Sequence, residues 1–346
     1  MKNSIIKSKI KTIFIGFIFL ALLLSPLAIN LKGGFNVLDS NKKEKNIDII
    51  NSRESLKTAD SWNIPPISIN GISGWDGAAS NNWCNGSGTF NDPYIIENVT
   101  INAGGTQSCI AVSNSNVYFI IRNCTLYGAS SFNDAGIYLS NVKNGLILEN
   151  NCSFNYHGIY GLQCENNTIQ GNYCHNNSYY GIYLRFSAMN NTIIENYCYN
   201  NYYYGLLLDG FSGAPCFDNN ITDNIFNNNG WFGVYLESAN TTTFCENIIR
   251  YNGFRGATYE GLRMQRCNQS LIQDNIFQNN SYYGISMDLG CFDNNITRNA
   301  FIDNPAGGIV LADAEERNLI YFNYFDNPSA SFEARDYGII INGIME

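Results

Sequence analysis

Residues 166–184 read NNTIQGNYCHNNSYYGIYL, and residues 190–208 repeat the pattern as NNTIIENYCYNNYYYGLLL. In both segments an asparagine precedes a short aromatic stretch, and a glycine precedes a short apolar run. The asparagine recurs every 22 to 28 residues, as Asn98, Asn123, Asn150, Asn172, Asn196, Asn224, Asn247, Asn275, Asn299 and Asn323. The Asn and the Gly both recur in register through nine repeats, which indicates a solenoid.

The repeat units are typical of strands rather than helices. Their apolar runs are three or four residues long, are rich in Ile, Val, Tyr and Phe, and are separated by Asn and Gly. Like residues also share columns, as Cys152, Cys174 and Cys198 do, which in-register parallel strands about 4.8 Å apart require. We therefore predict an all-β fold, a right-handed parallel β-helix of about ten coils with ladders of buried, hydrogen-bonded Asn amides.

Composition divides the chain into a basic leader and an acidic body. Residues 1–63 have a net charge of +5 and residues 64–346 a net charge of −14. Lysines followed by the apolar residues 13–28 predict a signal peptide or N-terminal membrane anchor over 1–30. We expect a polar linker over 31–63, an N-terminal cap over 64–93 and the β-helix over 94–346, in a secreted or extracellular membrane-anchored protein.

The composition also restricts the partners. An acidic body argues against nucleic-acid binding, because the charge has the wrong sign for neutralising phosphates. We expect membrane contact only through the N-terminal segment. The last residues, YGIIINGIME, carry no recognisable cap, which predicts a partner or a missing domain at that end.

Three stretches resemble a known group of proteins. They are GSGTFNDPYIIENVTI (Gly86–Ile101), NSNVYFIIRNCT (Asn114–Thr125) and the NNTI…YYGIYL units. They are similar to extracellular right-handed parallel β-helix repeat proteins, a group with a pectin-lyase-like fold that includes NosD-like periplasmic proteins and carbohydrate-binding or sugar-hydrolase modules. The resemblance implies polysaccharide binding or cleavage for the pectin-lyase-like members and copper handling for the NosD-like members. The chain has only two His and five Met, which argues against copper.

Outward aromatic residues are the first candidate ligand-binding groups. Tyr138, Tyr160, Tyr183 and Tyr235 follow the repeat glycine by two residues, and Trp231 precedes a repeat glycine. Strand alternation should point the tyrosines outward, where aromatic faces could stack on sugar rings. The alternative is that Tyr simply suits a half-buried strand surface.

Carboxylates and arginines form the second candidate group. Asp209, Glu237 and Asp288 each lie four residues after a repeat glycine, and a hydrolase needs two carboxyls about 5–9 Å apart. Arg263 and Arg266 lie close by in sequence, and the lyases of the resembling group use a cationic base. If the protein is an enzyme, we predict its polysaccharide hydrolase or lyase site here. The alternative is that these arginines pair on the surface with Glu246, Glu260 and Asp274.

One further acidic column precedes the repeat Asn. It consists of Glu195, Asp223, Glu246 and Asp274, for which calcium is the fitting cofactor because Ca²⁺ prefers oxygen ligands. The alternative is a solvated acidic face.

The eleven cysteines complete the candidate groups. We expect most of them to be reduced, with Cys84 the best candidate for a disulfide, to Cys109 or Cys124.

Two functions of different kinds follow from these features. The first is carbohydrate binding, with or without cleavage of the polysaccharide. The second is a structural or adhesive surface rod without catalysis.

Overall fold

Each repeat folds into one coil of three short strands. In the coil that begins at Gly181 the strands are Ile182–Arg185, Thr192–Ile194 and Tyr197–Tyr199, and the next coil opens with Leu206–Asp209. Successive coils pair strand on strand in three sheets of eleven strands each, which we call sheets 1, 2 and 3 in the order of those three strands. This computed structural model describes residues 62–312, 317–326 and 339–342, and the predicted signal or anchor segment (residues 1–30) lies outside them.

The strands of each sheet follow one another along the helix axis. Sheet 1 comprises Ile67–Asn70, Ile110–Ser115, Ala135–Val142, His157–Leu162, Ile182–Arg185, Leu206–Asp209, Val234–Glu237, Leu262–Gln265, Tyr283–Asp288, Gly307–Ala312 and Ile339–Asn342. Sheet 2 comprises Cys84–Asn85, Tyr94–Glu97, Phe119–Arg122, Gly145–Leu148, Thr168–Gln170, Thr192–Ile194, Asn220–Thr222, Thr243–Cys245, Leu271–Gln273, Asn295–Thr297 and Leu319–Tyr321. Sheet 3 comprises Trp62–Asn63, Val99–Asn102, Thr125–Tyr127, Asn151–Ser153, Tyr173–His175, Tyr197–Tyr199, Ile225–Asn227, Ile248–Arg250, Ile276–Gln278, Ala300–Ile302 and Tyr324–Asp326. A smaller pair joins Cys216–Phe217 to Ala239–Asn240.

Within the three sheets, strand pairing is parallel except where Cys84–Asn85 runs antiparallel to Tyr94–Glu97. Buried and half-buried residues alternate along most strands, so each strand sends every second side chain into the core. Ile169 pairs with Ile193 and Ile193 with Ile221, and all three are buried. The predicted all-β parallel β-helix with stacked like residues is confirmed.

Buried asparagines link the coils at the corner between sheets 2 and 3. The side-chain amide of Asn172 donates to Asn196 Oδ1 at 3.0 Å, and its backbone N–H donates to the same oxygen at 2.9 Å. Asn196 makes both bonds to Asn224 and also donates to the Ile169 carbonyl at 2.8 Å. These bonds form ladder 1, which runs through Asn150, Asn172, Asn196, Asn224, Asn247, Asn275, Asn299 and Asn323. The predicted ladder is confirmed over these eight residues.

Two further ladders hold the other corners. Ladder 2 lies after sheet 3 and contains Asn155, Asn177, Asn201, Asn229, Asn252, Asn280 and Asn304. Ladder 3 lies before sheet 2, where its side chains bond in two runs, one of Asn167, Asn191 and Asn219 and one of Ser270, Asn294 and Asn318. The ladder 2 asparagines lie five residues after those of ladder 1 in each repeat. Ladder 3 was not predicted. The sequence signal for ladder 3 is the second Asn of the NNTI units.

Asn98 and Asn123 lie one residue outside ladder 1. Both have left-handed backbone, with φ of 56° and 53°. The ladder position beside Asn150 belongs to Cys124, whose backbone N–H donates to Asn150 Oδ1 at 3.1 Å. Asparagine suits both the left-handed region and the inward position, so its recurrence alone could not separate two adjacent sites. The ladder prediction is wrong for these two residues.

A short helix, Gly71–Ala79, packs on the first coils. Its Trp75 is fully buried, stacks on Tyr94 with ring centroids 5.1 Å apart, and donates its indole N–H to Ser115 Oγ at 2.9 Å. The first coil begins inside the segment predicted as a cap, because Ile67–Asn70 already pairs in sheet 1. No helix among the described residues is long and apolar enough to cross a membrane.

The cysteines are core residues. All eleven are free thiols, and all but Cys245 are buried. Burial raises the pKa of Cys84 to about 11 and that of Cys109 to about 12, so both thiols stay protonated and unreactive at neutral pH. The predicted disulfide from Cys84 to Cys109 or Cys124 is wrong, because all three cysteines are free thiols, and the cysteines fill space as small hydrophobes.

The ladders predict a large effect of removing one amide. Asn196→Ala leaves the buried Ile169 carbonyl and the Asn172 N–H without partners, each costing about 1–3 kcal/mol. We expect the free energy of unfolding in urea to fall by about 3 kcal/mol or more. Asn123→Gly is the control: it keeps the positive φ and removes an exposed side chain, so we expect less than about 1 kcal/mol. Equal losses in both variants would contradict the assignment of the ladder.

Candidate functional site

The outer face of sheet 1 brings the predicted catalytic residues together. Asp209 pairs with Glu237, Glu237 with Gln265, and Gln265 with Asp288, on four successive strands. Arg185 extends this row on the preceding strand. We call Arg185, Asp209, Glu237, Gln265 and Asp288 the polar strip. Because neighbouring strands lie about 4.8 Å apart, the strip is about 19 Å long.

Arginines neutralise every carboxylate of the polar strip. Arg185 Nε lies 3.0 Å from Asp209 Oδ2, and Arg263 Nη2 lies 2.5 Å from Asp288 Oδ2. Arg266 pairs with Glu237. The alternative was that the arginines pair with Glu246, Glu260 and Asp274. The salt bridges of Arg263 and Arg266 are instead with Asp288 and Glu237. Asp274 binds Arg298 through two bonds of 2.7 and 2.8 Å. Register explains the difference, because the arginines reach carboxylates on adjacent strands of their own sheet.

Tyrosines support the strip from the adjacent outward column. The Tyr183 hydroxyl donates to Asp209 Oδ2 at 2.6 Å, and the Tyr235 hydroxyl bonds to Glu237 and Gln265. Burial, together with the bonded Asp209, raises the pKa of Tyr183 far above its ordinary value. The hydroxyl therefore stays protonated and acts as a fixed donor to the carboxylate.

The predicted aromatic row is largely closed to solvent. Tyr160 and Tyr183 point outward but are only 4% and 7% exposed, because their rings stack on each other at 4.8 Å. The prediction of free aromatic faces is therefore wrong for these two, while Tyr138, Tyr235 and Trp231 are half-buried.

A neighbouring row of aromatic residues is more accessible. It consists of Tyr156, Tyr179, Tyr203, Trp231 and Tyr259, which we call the aromatic shelf. All five are half-buried, and each ring contacts the next with centroids 4.4–5.0 Å apart. Trp231 is the residue of this row named above as a candidate for ligand binding. The sequence signal for the whole row is the aromatic residue two positions before most repeat glycines, as at Tyr179 and Tyr203.

Glu260 is a carboxylate of this face for which the sequence analysis predicted only a possible ion pair with the arginines. It directly precedes Gly261, a position that Phe232 and Tyr283 occupy in the neighbouring coils. Glu260 is 5% exposed, and its Oε2 atom has no hydrogen-bond partner. Burial raises the pKa of Glu260 to about 7, a shift that the nearby Arg263 moderates. The missed signal is a lone acid in an aromatic column.

The two histidines lie on different faces. His157 in sheet 1 is 1% exposed and packs against Tyr179 and Tyr180, and burial lowers its pKa to about 3, so it stays neutral. His175 in sheet 3 stacks on Tyr199 at 4.6 Å. Met264 and Met287 are in the core. This donor set does not fit a copper site, and within the described ranges no three His, Cys, Asp or Glu side chains cluster closely enough to hold a metal ion.

The acidic column predicted for calcium lies away from sheet 1. Glu195, Asp223, Glu246 and Asp274 all have φ of 56° at the corner between sheets 2 and 3. Gln170 donates to Glu195 at 3.1 Å, and Asp274 is held by Arg298. Calcium binding at this column stays a prediction.

Comparisons with known proteins agree with the architecture. A model for the right-handed β-helix region matches residues 108–264. The chain therefore has the right-handed parallel β-helix fold that this model describes. A second family model, periplasmic copper-binding protein (NosD), matches residues 199–337. No curated protein matches the sequence.

Two solved structures show the same fold. One is a mutant of the periplasmic alginate epimerase AlgG, with 14% identity and a TM-score of 0.53 over 66% of this chain and 68% of the other. The second is an alginate lyase from Paenibacillus sp. strain FPU-7, with 13% identity and a TM-score of 0.51 over 75% of this chain and 98% of the other. At this identity the likeness extends to the fold alone.

The buried Glu260 predicts a distinct pH dependence of stability. Its folded pKa of about 7 lies above its ordinary value of 4.5, so the folded state holds the proton more tightly. The contribution is fully present below pH 4.5 and is lost as the pH rises through 7, by at most about 3 kcal/mol. We expect Glu260→Gln to be more stable than wild type at pH 8 and to lose less stability between pH 5 and pH 8 in urea unfolding.

The exposed Glu149 provides the control for that measurement. We expect Glu149→Gln to keep the wild-type pH profile. A Glu260→Gln profile parallel to that of wild type would show that the Glu260 carboxyl is ionised at the same pH in the folded and unfolded chains.

Proposed function

We propose that this protein is exported and binds polysaccharide along the outer face of sheet 1. Two rows that each cross at least four coils support this function: the polar strip and the aromatic shelf, with the column of Tyr160, Tyr183 and Tyr235 between them. Aromatic rings pack against the apolar faces of sugars, and charged side chains hydrogen-bond to their hydroxyl groups. A repeating surface of this kind suits a repeating polymer.

The comparisons support a carbohydrate ligand and an extracytoplasmic location. Both solved neighbours act on alginate by their titles, and one of them, like the NosD family, is described as periplasmic. The basic, apolar N-terminal segment is what an exported protein would require. We therefore place the protein outside the cytosol, either secreted or tethered through that segment.

Cleavage of the bound polysaccharide stays a prediction. Asp209 and Glu237 lie on adjacent strands, as a carboxylate pair would require, but each is held by an arginine. Release of new reducing ends from a polysaccharide incubated with the protein would establish the activity.

A non-catalytic surface rod is the second candidate function. The observation that favours it is the closed packing of this face, in which Tyr160 and Tyr183 are buried and each strip carboxylate is neutralised. These contacts would stabilise a structural rod even if the face binds no ligand.

Affinity electrophoresis through gels that contain soluble polysaccharides separates the two functions. We expect at least one polysaccharide to retard the protein, and we expect Tyr203→Ala with Trp231→Ala to weaken that binding about tenfold, because both rings belong to the aromatic shelf. Arg298→Ala is the control, since Arg298 is exposed at another corner. Equal mobility in every gel would leave the rod as the function.

A further inference from the structure

We propose that Glu260, Arg263 and Asp288 form a subsite that binds the hydroxyl groups of an uncharged sugar. This assignment rests on the proposed polysaccharide binding and specifies its substrate class. None of the three residues takes part in a ladder, and all three lie on the outer face of sheet 1.

Sequence and strand register place both carboxyls near Arg263. Glu260 precedes Arg263 by three residues in the same coil. Asp288 pairs with Gln265, two residues beyond Arg263. The Arg263 guanidinium reaches Asp288 Oδ2 at 2.5 Å. The guanidinium is therefore bound to one carboxyl and lies close enough to the other to interact with it electrostatically.

Each carboxyl has one oxygen that the protein leaves without a partner. Glu260 Oε2 and Asp288 Oδ1 are both buried and make no hydrogen bond, although the residues are only 5% and 9% exposed. A buried acceptor without a partner costs about 1–3 kcal/mol. Both oxygens are closed to solvent in this structure, so a ligand must displace a covering side chain to reach them. Its hydroxyl donors would then remove that cost, because each sugar hydroxyl donates one hydrogen bond. Two such acceptors beside one guanidinium suit a ligand that carries several hydroxyl groups.

The surrounding side chains complete the site. Phe232 and Tyr283 flank Glu260 in its column, and the Arg263 guanidinium lies 5.5 Å from the centre of the Phe232 ring. They provide an apolar wall for the C–H face of a sugar.

The loop that carries Glu260 is fixed by the next coil. Ser281 Oγ donates to the Gly256 carbonyl at 2.9 Å or to the Tyr259 carbonyl at 3.0 Å. Glu260 is thus positioned before any ligand arrives, which lowers the entropic cost of binding.

Charge selects a neutral sugar over a uronate. Above pH 7, where Glu260 is ionised, a uronate carboxylate would bring only acceptors to the two unpartnered carboxylate oxygens. The one cation of the site, Arg263, is already neutralised by Asp288, and residues 64–346 carry a net charge of −14. A like charge opposed at close range is unfavourable. We therefore assign a neutral glycan, although the two solved neighbours are named for alginate, an anionic polymer.

A glycan array with C6-matched pairs tests this assignment on the full-length chain. The array carries neutral oligosaccharides, such as mannan and cellulose fragments, beside their C6-oxidised uronate counterparts. Titration calorimetry then measures the pair that gives the strongest signal. We expect the neutral member to bind at least tenfold more tightly than the uronate member. Tighter binding of the uronate, or equal binding, would overturn the subsite assignment while leaving polysaccharide binding in place. No binding to any glycan would overturn both proposals.

Two variants connect the preference to the site. Glu260→Leu keeps the volume of a buried side chain but removes the acceptor, so we expect at least a tenfold loss for the neutral glycan. A purely structural role of Glu260 would instead leave affinity unchanged, because a buried leucine preserves the packing. Arg298→Ala should bind as wild type does. A thermal unfolding midpoint at or above that of wild type shows that Glu260→Leu is folded, and unchanged affinity in that folded variant would overturn the assignment.

Discussion

The structure depends on one constraint, which is that a buried asparagine amide must find both donors and acceptors inside the solenoid. Asn196 meets it by accepting from Asn172 and donating to Asn224, along the helix axis. A buried polar group with no partner is costly, so a coil that carries a ladder Asn favours a next coil that presents its own Asn in register. The ladders thus set the vertical alignment of all three sheets. Apolar stacking contributes the bulk of the burial but is far less selective for register.

The same constraint fixes the outer face. A Cβ added at Gly181 would lie 2.8 Å from Asn201 Nδ2 and 2.6 Å from the Gly205 carbonyl, so the repeat glycine is needed where ladder 2 passes close to sheet 1. Glycine and asparagine together hold the start of each sheet 1 strand. Outward residues are then free to differ from coil to coil without disturbing the core. The polar strip and the aromatic shelf are two products of that freedom.

Periodicity predicted those features that repeat. The recurrence of Asn and Gly was sufficient for the solenoid, for ladder 1 from Asn150 onward, and for the alignment of Asp209 with Glu237. It failed at Asn98 and Asn123, because asparagine fits two adjacent positions of the corner. Periodicity also predicted which side chains point outward but not whether solvent reaches them. Tyr160 and Tyr183 point outward as expected, yet neighbouring side chains cover them. Burial of this kind depends on contacts between coils, which a single repeat does not contain.

Glu260 shows why functional residues escape such analysis. A repeat pattern identifies what is common to the coils, whereas Glu260 is the exception in its column. Its burial and its unpartnered oxygen follow from Phe232 and Tyr283 above and below it, and from a loop fixed by Ser281. The partners of Arg263 and Arg266 likewise follow from register, since both find carboxylates in adjacent coils of sheet 1.

Hydrogen exchange of side-chain amides, followed by NMR, tests the central role of the ladders most directly. The Nδ2 protons of Asn172, Asn196 and Asn224 should exchange only when the solenoid unfolds, orders of magnitude more slowly than those of the exposed Asn116. Exchange of the ladder amides at the rate of Asn116 would show that they are solvated, and that something other than the asparagines holds the coils in register.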